Sequence, residues 1–114
     1  MINSNTVILV TNNGMGTGPQ DLQLTLIEKY LELLNQHDEL PYAICFYTEG
    51  VRLVVEGSPM LEQLRALEAR GVRLIVCSTC LDYFGLTDKL KAGIVGGMTD
   101  IMETMFKAEM VISV

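Results

Sequence analysis

The sequence predicts an α/β layer sandwich built on a largely parallel sheet. Three observations predict it. Short β-branched runs alternate with longer runs of helical character along the whole chain. The first short run, Thr6-Val7-Ile8-Leu9-Val10-Thr11, is apolar without alternation, as a strand covered on both faces must be. The helical runs carry their own punctuation, such as Gly57-Ser58-Pro59 before one and Gly71 after it.

Taken in order, the first strand covers 6–11. A glycine-rich loop, Asn12 to Gly18, leads to Pro19, which suits the first turn of a helix because its missing N–H costs nothing there. That helix runs to about Gln36. Its apolar positions Leu22, Leu24, Leu26, Ile27, Tyr30, Leu31, Leu33 and Leu34 span more than one narrow stripe, so it is either central or covered by another subunit. Tyr42 to Tyr47 reads as the second strand, ending at Thr48-Glu49-Gly50. Val51 to Val55 is a strand by composition and a short helix by context. Ser58 is an N-cap candidate, with Pro59 at the first helical position and Glu62 near the positive helix end. Met60, Leu61, Leu64 and Leu67 then form a core stripe, and Gly71 ends the helix. Val72 to Cys77 is the third strand. Thr87 is expected to cap a short helix to about Lys91. Gly93 to Gly97 holds a very short strand. Thr99 to Lys107 is a helix with Ile101, Met102, Met105 and Phe106 inward, and Met110 to Val114 is the last strand.

The 114 residues amount to a single domain over 1–114. Hydrophobic residues make up 49% and charged residues 19%, a composition that buries a core rather than staying disordered. The formal net charge is -6, with no basic stripe, which argues against nucleic acid and anionic membranes as partners. No apolar run approaches the roughly 20 residues of a spanning helix. Met1-Ile2-Asn3-Ser4-Asn5 has no basic region of a secretory signal. Three cysteines make an odd number for a disulfide scaffold, so a cytoplasmic setting with reduced thiols is expected.

The chemistry-bearing feature is Cys77-Ser78-Thr79-Cys80, at the C-terminal end of a parallel strand, where reacting groups collect in open α/β sheets. A helical turn after Cys77 would supply N–H groups that favour its thiolate, the form that attacks sulfur. Cys77 and Cys80 are therefore the candidate catalytic residues. The competing reading is two small buried residues at a strand end. A structural zinc site needs four ligands, and only Cys45 and His37 remain to complete one, so no metal is expected. The loop contributes Asn12, Gly14, Gly16 and Gly18. It matches neither G-x-G-x-x-G nor a P-loop, so no cofactor is expected. It is a turn that needs positive φ, or a wall of a ligand-binding cleft completed by Ser78 and Thr79. Glu49 and Glu56 read as a solvated face, and the recurring Met98, Met102, Met105 and Met110 as adaptable core.

Three stretches carry a family resemblance: Phe46 to Leu53, Val55 to Pro59, and Cys77 to Leu86. They resemble the DsrE-like domain of YedF-type proteins, within the wider DsrE/DsrF group. Gly93 and Met98 fall on that domain's glycine–methionine stretch. The resemblance covers nearly the whole chain, and the run from Cys77 to Leu86 is its most specific part. It implies a three-layer sandwich with a mostly parallel five-stranded sheet and helices on both faces. It implies a sulfur-relay role, in which a cysteine after the third strand takes up sulfane sulfur as a persulfide and passes it on. Cys77 matches the cysteine of the broader group, and Cys80 the second cysteine of the YedF-type motif. The implied partners are a sulfur donor or acceptor protein, TusA-like among the choices, since YedF-type chains usually begin with such a domain. Relatives form trimers or hexamers, so a homo-oligomer is expected, with a trimer favoured. Ser78 stands where the family usually has glycine, adding a hydroxyl beside the thiol.

The leading reading is thus a sulfur carrier or sulfurtransferase. Two others compete with it. One is a non-catalytic oligomeric module that binds a small ligand or a protein, with structural cysteines. The other is a thiol–disulfide redox protein that closes Cys77–Cys80.

Overall fold

The computed structural model describes residues 4–114, so Met1 to Asn3, part of the stretch read for a signal, lie outside the described residues. Five strands form one sheet: β1 (Thr6–Val10), β2 (Ala43–Phe46), β3 (Arg73–Cys77), β4 (Ile94–Gly96) and β5 (Met110–Ser113). Their order is β4-β3-β2-β1-β5, and every neighbouring pair is parallel. The helices are α1 (Gln20–Gln36), α2 (Leu61–Ala69), α3 (Ser78–Tyr83) and α4 (Met98–Lys107). Each step from β1 to β4 moves the same way across the sheet, so right-handed crossovers put α1, α2 and α3 on one face. The chain then returns from β4 at one edge to β5 at the other, and α4 covers the opposite face.

Register divides the core between the layers. Leu9, Cys45, Ile75 and Ile94 lie in one row, on the face where Ile75 lines a groove together with Asp100 and Thr104 of α4. Ile8, Ile44 and Leu74 lie in the alternate row, which faces α1. Among the described residues the buried side chains are all apolar. Gly93, at φ +82°, lets β4 approach β3, because a Cβ there would stand 2.9 Å from the Leu74 Cβ.

Several sequence expectations are refined. The ambiguous 51–55 run belongs to a 3-10 helix, Thr48–Val54, which buries Val51, Leu53 and Val54. Ser58 does not cap α2. The helix starts later, at Leu61, and the Ser58 hydroxyl instead accepts the Met60 N–H at 3.1 Å in the turn before it. Thr87 caps nothing, and its helix shrinks to Thr87–Lys89. The wide apolar arc of α1 is divided: Ile27 and Leu31 are buried, while Leu22, Leu26 and Leu33 stay exposed.

The apolar positions expected to face inward on α4 divide between core and surface. Ile101 is fully buried and Met105 is partly so, but Met102 is exposed and Phe106 is 83% exposed. Residues one position apart on a helix point about 100° apart, so the 101/105 face and the 102/106 face cannot both meet the sheet. Ile101 is the one residue of α4 that is fully buried. Ile101→Ala should therefore cost about 2–5 kcal/mol and Ile101→Val about 0.5–1.5 kcal/mol in urea unfolding. Equal stability of all three proteins would show that α4 is not pinned there.

Candidate functional site

β3 ends on Cys77, which is also the N-cap residue of α3. A side chain at the N-cap reaches toward the third helical residue, which here is Cys80. The two thiols are accordingly neighbours, close enough for Cys77 to influence the Cys80 thiol. They differ in access. Cys77 is 1% exposed and Cys80 is half-buried, because α3 folds over the end of its own strand. Cys77 is thus closed off, although its place at the C-terminal end of a parallel strand is where reacting groups are expected to collect. The thiol that reaches solvent is Cys80.

The end of β2 supplies the partner. Tyr47 N–H donates to the Val10 carbonyl at 3.2 Å, and the chain then turns at Thr48 with φ +47°. Thr48 is the only non-glycine residue with positive φ among the described residues. Its N–H donates to Cys80 Sγ at 3.1 Å, and its hydroxyl donates to the Thr11 carbonyl at 3.1 Å. Gly50 permits this turn, since a Cβ there would stand 2.0 Å from the Val10 oxygen. Arg52 pairs with Glu49 and lays its guanidinium 4.4 Å over the Phe84 ring, tying the 3-10 helix to the segment after α3. Phe84 meets Tyr83 edge to face, and Tyr83 is 84% exposed.

These contacts set the sulfur chemistry. Burial raises the Cys80 thiol above its ordinary value, helped by the neighbouring Cys77 thiol, while the Thr48 N–H pulls it down. Cys45, in the middle of β2 and fully buried, is pushed up to about 11 by burial alone. It is core, as its strand position indicates.

The 12–18 loop behaves as a turn. Gly14 and Gly16 take φ of +138° and +73°, and a Cβ on Gly14 would collide with Gln23. Gln20 and Gln23 of α1 donate to the Asn13 and Gly16 carbonyls, and Asn12 also donates to Gly16. The loop's carbonyls are thus turned onto its own segment. β2 lies between β1 and β3, so Thr48 stands between this loop and the cysteines. A groove of about 530 Å³ lies between α4 and the sheet, and another of about 180 Å³ lies beside α1. Neither is lined by Asn12, Gly14, Gly16, Gly18, Ser78 or Thr79. Glu49 and Glu56 pair separately, with Arg52 and Lys89. Among the described residues no three His, Cys, Asp or Glu side chains gather as metal ligands. Among the described residues no helix is long and apolar enough to cross a membrane.

Sequence reasoning placed Thr48 only at a strand end and missed its role. No local signal marks a threonine for the left-handed region; the nearest hint is Gly50 two residues on.

The DsrE/DsrF-like family model matches residues 6–114. This chain belongs to the DsrE/DsrF-like family. The family is associated with sulfur relay. No curated protein matches the chain. Among solved structures it is similar to the YchN protein from E. coli, at 21% identity, covering 99% of this chain and 100% of that one, with a TM-score of 0.73. It is also similar to MTH1491 of Methanobacterium thermoautotrophicum, a protein of unknown function, at 20% identity, 96% and 97% coverage and a TM-score of 0.69. BT1422 of Bacteroides thetaiotaomicron follows at 14% identity, 96% and 95% coverage and a TM-score of 0.66. These likenesses are of fold, and they agree with the five-stranded parallel α/β architecture described above.

Two outcomes follow from the thiol environments. Iodoacetamide labelling with peptide mapping should modify Cys80 first, with a rate that climbs with pH because only the thiolate reacts. Cys45 labelling as fast as Cys80 would contradict the geometry. Cys45 also makes a stability prediction. Its folded value lies above the ordinary 9.0, so its contribution is complete below pH 9 and is lost as pH rises toward about 11. The parent should lose on the order of 2 kcal/mol more than Cys45→Ala across that window, read by urea unfolding at several pH values.

Proposed function

We propose that this protein accepts and passes on sulfane sulfur as a persulfide on Cys80, with Cys77 as the neighbouring thiol. The observation that carries this reading is the pair of cysteines set one helical turn apart at the end of β3, one closed off and one open to solvent with the Thr48 N–H on its sulfur. The Cys80 thiolate attacks the terminal sulfur of a donor persulfide. A new S–S bond forms to Cys80, the donor's S–S bond breaks, and the donor leaves as a thiolate. The proton of the transferred sulfhydryl travels with it. Delivery is the same exchange run toward an acceptor thiolate, so no external oxidant or reductant is required. The donor and acceptor are sulfur-carrying proteins, TusA-like among them by the YedF-type resemblance of the Cys77 to Leu86 run.

The placement of Cys77 and Cys80 at the N-cap and third position of α3 also favours a second reading, a thiol–disulfide redox protein. Intact-mass analysis after treatment with a persulfide donor separates the two. The relay gains one sulfur atom, mapped to Cys80, and uptake disappears in Cys80→Ser but persists in Cys77→Ser. A loss of two hydrogens with no gain of sulfur supports the redox reading, and uptake by Cys80→Ser equal to the parent rejects Cys80 as the carrier.

The protein acts as a homo-oligomer, with a trimer following the family resemblance. The physical motive is a second apolar stripe on α4, Met98, Met102 and Phe106, beside exposed Ile94 and Val95 on one edge strand and Met110 and Val111 on the other. Light scattering at micromolar concentration should report a trimer, and Met102→Glu should shift it toward the monomer. A monomeric parent would remove the motive.

A further inference from the structure

The Thr48 turn is built more tightly than a strand end requires. Its backbone is left-handed, a conformation a non-glycine residue keeps only where the surroundings fix it. The surroundings do fix it, at three points. Tyr47 N–H is bound to the Val10 carbonyl, Gly50 packs against that same carbonyl with no room for a Cβ, and the Thr48 hydroxyl is bound to the Thr11 carbonyl. The product of this arrangement is one backbone N–H held 3.1 Å from Cys80 Sγ. Thr48 itself is exposed, so burial does not explain the residue.

We infer that Thr48 is a positioning residue, whose anchored left-handed backbone aims its N–H at Cys80 and readies that sulfur to carry negative charge. The inference rests on the reading of Cys80 as the sulfur carrier, since a thiolate is both the attacking form and the leaving form in that exchange. A hydrogen bond to a charged acceptor is worth more than one to a neutral acceptor, so the N–H favours the thiolate over the thiol. The hydroxyl does its work at a distance, through the Thr11 carbonyl, and touches no reacting atom.

The test is the pH profile of Cys80 alkylation in the parent, Thr48→Ser and Thr48→Ala. Thr48→Ser keeps the hydroxyl anchor and should follow the parent. Thr48→Ala loses it, and its backbone is free to leave the left-handed region. Its profile should move up by about one pH unit, which is about tenfold less thiolate at a given pH below the midpoint. Cys45, buried in the core, is the internal standard: its protection in every variant shows that the fold is intact. A Thr48→Ala profile that coincides with the parent overturns the inference.

A second measurement leaves Thr48 unchanged. In ¹⁵N-labelled protein the Thr48 amide resonance should titrate with the Cys80 thiol and go flat in Cys80→Ser. An amide that ignores the thiol titration also overturns the inference. Neither readout involves sulfur uptake. If the relay reading fails, persulfide loading fails while both titrations stand; if the inference fails, loading stands and the titrations do not depend on Thr48.

Discussion

A sheet of parallel strands has to be covered on both faces, and most of this molecule's layout answers that requirement. Three of its four α-helices serve one face because the chain steps steadily from β1 to β4. The other face receives only α4, on the long return to β5. The strands are apolar on both sides as a result, and Cys45 is simply one more small apolar side chain in a central strand. The same parallel arrangement sets the ends of β1, β2 and β3 side by side at one edge. That edge is where the turn at Thr48 and the two remaining cysteines come together.

At that edge the backbone, more than any charged side chain, shapes the chemistry. One thiol is shut away at the N-cap of α3 and the other faces solvent one turn later. The opposing influences on Cys80, burial and its neighbour on one side and a main-chain donor on the other, all come from placement within a few ångströms. Arg52 and Phe84 brace the two segments that carry the donor and the acceptor.

The fold was legible in the sequence because its signals are local. Short apolar runs marked β1, β2 and β3, and Gly71 marked the end of α2 with its φ of +95°. The site was legible only as residue types. The run from Cys77 to Cys80 announced itself, but the order of exposure did not, since it depends on α3 folding over the strand end. Thr48 was invisible as a donor because its conformation is imposed from β1, nearly 40 residues earlier in the chain, by the contacts of Tyr47, Thr48 and Gly50 with Val10 and Thr11. Periodicity likewise could not decide which of two adjacent apolar stripes on α4 meets the sheet. Only the position of the sheet decides that.

The strand order also governs how the chain can assemble. β1 is central, yet its outer neighbour is β5, with Thr6 paired to Met110 and Val7 to Val111. The first strand to be synthesised therefore keeps one flank of unpaired N–H and C=O groups until the last strand has been made. Neighbours such as β2 and β3 join through much shorter loops. Closing so long a loop is entropically costly before any contact repays it, so the β1–β5 seam belongs to the late, slow part of folding. An open flank on an apolar strand is also where a second unfinished copy would pair. For this topology, the interval before β5 docks is the period of greatest exposure to misassembly.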